Sequence, residues 1–465
     1  MRSRAAIAFA AALGLALAGC TVGPRHVVPE VPLPPTFDQA AADAAAQPVA
    51  SKLWAGFQSP ELDTVMARAL EANTTIAQAA ARLAETRALS GLSVYSLMPT
   101  VTAEASQEET QFSSQDPFSP PASFRTESWR AGFDATWEID LFGGLRNENR
   151  AIKRRVERDA ASLADVRLSI IAETAQAWFS LIGARERHAL KERQLANLEE
   201  NIQILNARAD AGGSSQLDLA RAEAQLRSLA ASVPLAEAEL VRQEQRLAVL
   251  TAWPVQTLRS RLSPSTSIPE LPALVATGTP ADWLRRRPDI RSAERELAAS
   301  AADVGDRLAD FFPKVELLGS FGWTGQERSA IGDAAAERWS YGPSISWSFL
   351  DFGRVWQYYQ ASQARRTGAI ARYQETVLRA LEETENALAG FRAANRAEDQ
   401  LRAGAAAAAE AARLARLRYE VGAGDYLALL DAERTQLDLE DQHVQAATGR
   451  ATALAALYKA LAGDL

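Results

Sequence analysis

The chain has 465 residues, a formal net charge of −8 and only three histidines and one cysteine. With no basic tract standing apart from neighbouring acids, that balance argues against a nucleic-acid partner, and His26, His188 and His443 lie too far apart to form a histidine-rich metal site. The alanine-rich, mixed-charge composition fits long helices and coiled coils rather than a compact enzyme, and the length exceeds a single core, so duplication or elongation is expected.

Arg2 and Arg4 precede an apolar stretch from Ala5 to Ala18, the layout of a secretory signal. It ends in Leu17-Ala18-Gly19-Cys20, which resembles the bacterial lipobox, so Cys20 is expected to become the lipidated first residue of the mature protein. Thr21 follows it, and an inner-membrane retention aspartate is absent there. No later run is apolar and long enough for a transmembrane helix, so any membrane crossing must use strands.

Shifting the chain by about 210 residues aligns its two halves. Trp129 meets Trp339, Trp137 meets Trp347, Phe142-Gly143 meets Phe352-Gly353, and Glu173-Thr174 meets Glu383-Thr384. Arg208 meets Arg418, Gly212 meets Gly422, and Pro99 corresponds to Pro313 with slight slack. Within each copy the apolar period is first two. Trp129, Ala131, Phe133, Ala135, Trp137, Ile139 and Leu141 alternate with polar residues, as do Trp339, Tyr341, Pro343, Ile345, Trp347 and Phe349. Val101, Ala103 and Ala105, and Val315, Leu317, Phe321 and Trp323, supply partner strands across the polar loops 113–128 and 324–338. The period then turns helical. From Leu145 to Ala211 only Gly183 interrupts, which predicts on the order of 100 Å of helix. Heptad spacing appears at Leu195, Leu198, Ile202 and Leu205 and on the return arm from Ala222 to Leu250. Each repeat is thus expected to be a strand hairpin at one end and a long helical hairpin at the other.

The expected domains are a signal peptide (1–19), a lipidated proline-rich segment (20–50), a first repeat (51–260), a linker (261–280) and a second repeat (281–465). The first repeat is predicted to hold strands near 100–112 and 129–141 and a helical tip near 212–215; the second, strands near 314–323 and 339–349 and a tip near 422–425.

Taken in order, several blocks resemble the lipoprotein outer-membrane factors of tripartite efflux systems, the OprM/NodT/TolC-like outer membrane efflux protein family. They are Val22-Gly23-Pro24 after the lipobox, Trp54-Ala55-Gly56-Phe57, and Leu284-Arg285-Arg286-Arg287-Pro288-Asp289-Ile290-Arg291. Asp351-Phe352-Gly353-Arg354, Arg418-Tyr419 and Tyr426-Leu427 complete them. The resemblance implies an α+β membrane protein. In it a homotrimer builds a 12-stranded β-barrel, four strands per chain, continued by a helical coiled-coil barrel across the periplasm. It also implies a periplasmic adaptor and an inner-membrane pump, expected to be of the resistance-nodulation-division type, and a lipid-anchored place in the outer membrane. No catalytic residue, metal ligand or cofactor is expected; Gly212-Gly213-Ser214-Ser215 lacks the lysine of a phosphate loop. Strand arithmetic agrees with a trimer. Four strands leave an open edge in lipid, eight close around side chains, and 12 leave a lumen.

The expected function is the exit duct of an efflux pump for drugs or other small organic compounds. Protein secretion and metal-ion export are the alternatives, the latter disfavoured by the scarcity of methionine (Met1, Met66, Met98). By resemblance the gate lies at the helical tips, with Asp425, Tyr419, Arg418 and Asp210 as candidates. Gly212, Gly213, Gly422 and Gly424 read as turn glycines that also admit an adaptor's helical hairpin. The Arg285-Arg286-Arg287 triplet reads as a helix start beside Pro288.

Overall fold

The structure, a computed structural model, describes residues 21–40, 54, 57–113, 125–210, 215–263, 267–272 and 275–461, without the side chains of Arg208, Leu284 and Arg285. Cys20, Gly212 and Gly213 lie outside the described residues. In chain order the elements are α1 (Pro60–Ala72), α2 (Thr74–Tyr95), β1 (Thr100–Gln111), β2 (Arg125–Ile139), α3 (Gly144–Asp210) and α4 (Gln216–Thr251). They continue with α5 (Val255–Arg261), α6 (Pro280–Arg286), α7 (Pro288–Ala309), β3 (Lys314–Gly325), β4 (Glu337–Ser346), α8 (Phe352–Glu420) and α9 (Tyr426–Ala460). Two of these helices run for 67 and 69 residues.

The chain divides into two compact units, and each gathers pieces of both sequence repeats. One comprises residues up to Glu30, Arg82–Ala160 and Ser292–Glu375. Its four strands form one antiparallel sheet in the order β1-β2-β3-β4. β2 begins at Arg125, four residues ahead of the predicted start near Trp129, because Arg125 to Ser128 still find ladder partners in Gln111 to Glu108. β4 ends at Ser346 although the apolar alternation runs on through Trp347 and Phe349. There the Trp347 indole donates to the Phe311 carbonyl (3.1 Å) and Phe349–Asp351 coil into a 3₁₀ turn. Pro343 stands opposite Leu317 in the β3–β4 ladder, on the outermost strand of the single chain.

The other unit comprises Val31–Ala81, Ala161–Arg291 and Thr376–Leu465. Its core is aromatic at one point: Phe57 packs on Phe179 (5.0 Å) and Tyr458 (5.2 Å), and Trp54 meets Tyr458 edge-on (5.8 Å). Elsewhere alanine and leucine close the helix contacts, and Gly183 fits α3 against Thr448 of α9, where a Cβ would fall 2.0 Å from the Thr448 hydroxyl. Local chemistry fixes the helix starts. Ser59 and Thr279 cap α1 and α6 ahead of prolines at the first helical positions.

Arg287 belongs to this packing rather than to an anion site. It is 7% exposed and hydrogen-bonds Asp289 (2.8 Å), Glu383 (2.6 Å) and the Ala460 carbonyl (3.0 Å).

Candidate functional site

Two places in the molecule combine unusual exposure with unusual chemistry, the sheet and the tips of the helical hairpins. In the sheet, residues opposed across the ladders share a face. Thr102, Asp134, Ser320 and Ser340 therefore stand together on one side, and Ala103, Phe133, Phe321 and Trp339 on the other. The same parity continues along the register from Val101 to Ala105, Trp129 to Ile139, Val315 to Trp323 and Trp339 to Ile345, giving an apolar face opposite a mainly polar one, while at the loop end Gln107, Glu109, Arg125, Glu127 and Glu337 make the apolar side polar as well. The polar face carries Glu104, Asp134, Glu138 and Glu316 against Arg130 and Arg338. The apolar face is bare: Tyr341 is 83% and Ile345 70% exposed. Apolar area of that extent requires lipid or protein to cover it. β1 and β4 each present an unpaired edge, which water can solvate but hydrocarbon cannot.

At the tips, Leu198, Ile202 and Leu205 of α3, Ala222 and Leu229 of α4, and Tyr426 and Leu429 of α9 form one buried cluster. Tyr419 of α8 packs on it, its ring 5.5 Å from that of Tyr426. Tyr426 was not among the sequence-predicted site residues, yet it is the buried aromatic on which Tyr419 rests. Burial, helped by Glu433, pushes its phenol up to about 12, so it remains a neutral donor.

The second tip turn is closed by a Schellman motif. Gly422 has φ +73, its amide donates to the Tyr419 carbonyl (3.1 Å), and the Ala423 amide donates to that of Arg418 (2.8 Å). Gly424 keeps the turn close, since a Cβ there would lie a tight 3.2 Å from the Arg418 Cβ and from the Tyr419 nitrogen. Asp425 then caps α9, its carboxylate accepting from the Leu427 amide (2.9 Å). Ser215, the matching residue of the first repeat, caps α4 by accepting from the Asp218 amide, in a capping box with the Asp218 carboxylate. This capping role was legible in the pattern of a glycine turn followed by an Asp or Ser before an apolar helix.

Arg418 is exposed and leans towards the Ala423 carbonyl (3.4 Å). Asp210, the last residue of α3, is exposed as well. The four gate candidates are thus brought into one unit, but no ion pair links Arg418 to either Asp210 or Asp425 among the described residues. Among those residues no group of histidine, cysteine or carboxylate side chains is placed to hold a metal ion.

Residues 65–252 and 279–463 match, as two successive blocks, the family described as outer membrane efflux protein. The chain is similar to Outer membrane protein OprJ of Pseudomonas aeruginosa, at 30% identity across 97% of this chain and 94% of that protein. It is also similar to Cation efflux system protein CusC of Escherichia coli, at 25% identity across 97% of both chains. Among solved structures it superposes on the outer-membrane channel OprN with a TM-score of 0.88 and 36% identity, covering 96% of this chain and 99% of that one. The expected fold class, long helical hairpins joined to a four-stranded sheet in each chain, is the one these comparisons bear out. The chain belongs to the outer membrane efflux protein family.

Proposed function

We propose that three copies of this chain close a barrel of 12 strands in the outer membrane, and that the helical hairpins continue it as a duct across the periplasm. A sheet with opposite apolar and polar faces and two unpaired edges carries this reading. The apolar face meets lipid, the polar face lines a lumen, and β4 of one copy pairs with β1 of the next. Cys20 carries the lipid anchor. A periplasmic adaptor and an inner-membrane pump, of the resistance-nodulation-division type, load the duct from the tip end. Gly212, Gly213, Gly422 and Gly424 admit the adaptor's hairpins, and Asp425, Tyr419, Arg418 and Asp210 act at the gate.

The cargo is a small organic compound. Support comes from the methionines: Met66 is buried in α1, and Met98 lies at the foot of β1, so no methionine ladder runs along the sheet or the tips. CusC, named for cation efflux, supplies the second reading, metal-ion export. The test is reconstitution of the full chain into planar bilayers, with gel mobility before and after heating. A heat-sensitive trimer band with discrete conductance steps is expected; a monomer that shows no conductance refutes the barrel. Cargo is then separated by disrupting the gene. Sensitivity to organic toxicants should rise, whereas sensitivity to copper or silver salts alone would overturn the organic reading.

A further inference from the structure

The last turns of α2, just before β1, have two unlike faces. One packs on α3: Leu83 is buried, the Thr86 hydroxyl donates to Asp159 (2.6 Å), and the Ser93 hydroxyl donates to the Asn149 side-chain oxygen (2.8 Å). The opposite face carries Leu89, Leu92 and Tyr95, which are 51%, 64% and 67% exposed. The first turns of α8, just after β4, have the converse surface. Ser362, Ala369 and Tyr373 are buried, and Tyr359 meets Phe311 edge-on (5.9 Å), so that side packs within its own copy. Around the helix from them Gly353, Gln357, Ala361 and Ala364 are exposed and Gly368 is half-buried, at the three- and four-residue steps of a single face. A Cβ on Gly353 or Gly368 would meet nothing within 4 Å. One helix thus offers uncovered apolar bulk, and the other an uncovered face with room for it.

Both helices lead to the free edges of the sheet, α2 into β1 and α8 out of β4. Three successive antiparallel pairings leave β1 and β4 running in opposite directions. Closure of β4 on the next copy's β1, the reading on which this inference rests, is therefore antiparallel and brings the feet of the two strands level. It lays the end of α2 beside the start of the neighbour's α8, also antiparallel. Tyr95 lies five residues before Thr100, and Gly353 seven after Ser346. Counting away from the sheet at about 1.5 Å per residue, Leu92 comes level with Gln357. Glu85, about 15 Å from Tyr95, then comes level with Ala364, about 16 Å from Gly353. Charge agrees with that match. Glu85 is exposed on the ridge side and has no partner among the described residues. Arg365, exposed beside Ala364, makes no ion pair among those residues and is felt only by Asp303.

We propose that Leu89, Leu92 and Tyr95 of each copy seat on the open face of α8 in the next copy, with Glu85 beside Arg365, and that three such helix pairs form a collar directly beneath the barrel. Large side chains on one helix and small ones on the other let the two axes approach closely, so the wall of the duct continues without a gap below the strands. The occupant of each face is a second copy of this chain. The collar holds neighbouring sheets at the height where their edges pair, and it covers apolar surface that lies beyond the sheet's own.

The test is disulfide trapping in the full-length protein assembled in the outer membrane. Leu92→Cys and Gln357→Cys are introduced together and singly, oxidised with copper phenanthroline, and run on denaturing gels with and without a thiol reductant. The double variant should give linked species of two and three chains that the reductant collapses. Neither single variant should, and because Cys20 is present in all of them any link through it shows in these controls. Leu92→Cys with Ala371→Cys, about 21 Å farther along α8, should link at least about tenfold less. Glu85→Arg should lower the trimer surviving at the wild-type heat midpoint by roughly two- to fivefold, and adding Arg365→Glu should restore it. A heat-resistant trimer in which neither cysteine pair links, or both link equally, overturns the collar and leaves the barrel standing. A charge exchange that restores nothing overturns the pairing of Glu85 with Arg365. A wild-type chain that forms no trimer overturns the barrel, and the collar with it.

Discussion

Asp425 is claimed by two roles, and they separate on substitution. As a cap, its carboxylate holds one orphan amide of α9, that of Leu427, at 2.9 Å. Replacing it with alanine removes that acceptor at a cost of about 1 kcal/mol, a roughly fivefold rise in opening of the first turn of α9. Asp425→Ser keeps an acceptor in place, as Ser215 does for α4. It forfeits only the favourable charge at the helix N-terminus, about 0.5 kcal/mol. As a gate residue, Asp425 acts through its charge, which alanine and serine remove alike. Amide exchange across 426–430 should therefore rank wild type, serine and alanine in order of rising rate. Single-channel conductance should rise in both variants, and further when Tyr419→Ala is added. If Asp425→Ser conducts as wild type does, the charge has no part in the gate and the residue is a cap alone. If serine and alanine exchange equally fast, the capping account is wrong.

Gly183→Ala forces a methyl group into the Thr448 hydroxyl and should cost about 1–3 kcal/mol, seen as a lower denaturant midpoint, with Thr448→Ala recovering most of the loss. Arg287→Ala leaves Glu383 and Asp289 without their shared partner and should cost about 3 kcal/mol; Arg287→Lys should not rescue it, because a single ammonium cannot serve the two carboxylates and the Ala460 carbonyl together. Asp306→Asn should stabilise the protein at pH 8 by on the order of 2 kcal/mol, and the gain should fade as pH drops towards 4. The wild-type carboxylate, pushed up to about 6 by burial, binds its proton more tightly folded than unfolded and so penalises folding only where it is ionised. Denaturant midpoints of both proteins at pH 8 and 5 measure the difference, and a gain that is constant with pH would contradict it.

How much of this was legible depends on the length of the pattern that carried it. The strict alternation from Trp129 to Ile139 and from Trp339 to Ile345 marked both inner and edge strands, since parity alone decides which face a side chain joins. Parity gave no warning where the strand stops, because Trp347 and Phe349 keep the rhythm while the backbone has left the ladder. The long helices were visible from the absence of proline, yet Pro234 sits inside α4 without ending it. Tertiary packing overrode the local signal there. The tip residues were found as types but not as roles: the notion of a charged turn does not distinguish an N-cap from a gate, and nothing in the spacing of Tyr419 announced that Tyr426 lies beneath it. His26 entered the sequence reading only as one of three histidines too far apart for a metal site. Its charged neighbours Arg154, Glu294 and Arg366 come from three helices distant in sequence, which no linear motif could record.

The duplication itself shows which constraints are architectural. The indoles of Trp137 and Trp347 donate to the carbonyls of Leu97 and Phe311, each at 3.1 Å, just ahead of the matched prolines 99 and 313. Thr174 and Thr384 each donate their hydroxyl to the carbonyl one turn back, at 2.6 and 2.9 Å. These bonds are the same in both copies and belong to the framework. Glu173 and Glu383 hold equivalent positions but have diverged in partner. The first pairs with exposed Arg246, the second with buried Arg287. The tips have diverged differently again: Ser215 and Asp425 both cap their helices, Ser215 through the Asp218 amide and Asp425 through that of Leu427, but with different charge, while Ala209 is matched by Tyr419. A substitution that preserves its backbone bond and alters only charge or bulk is not explained by the needs of the fold. Exchanging Ser215 and Asp425 should therefore leave both helices capped and move one charge between the tips. If that exchange alters conductance while amide exchange at 216–220 and 426–430 stays near wild type, the asymmetry between the repeats belongs to the duct rather than to the helices that build it.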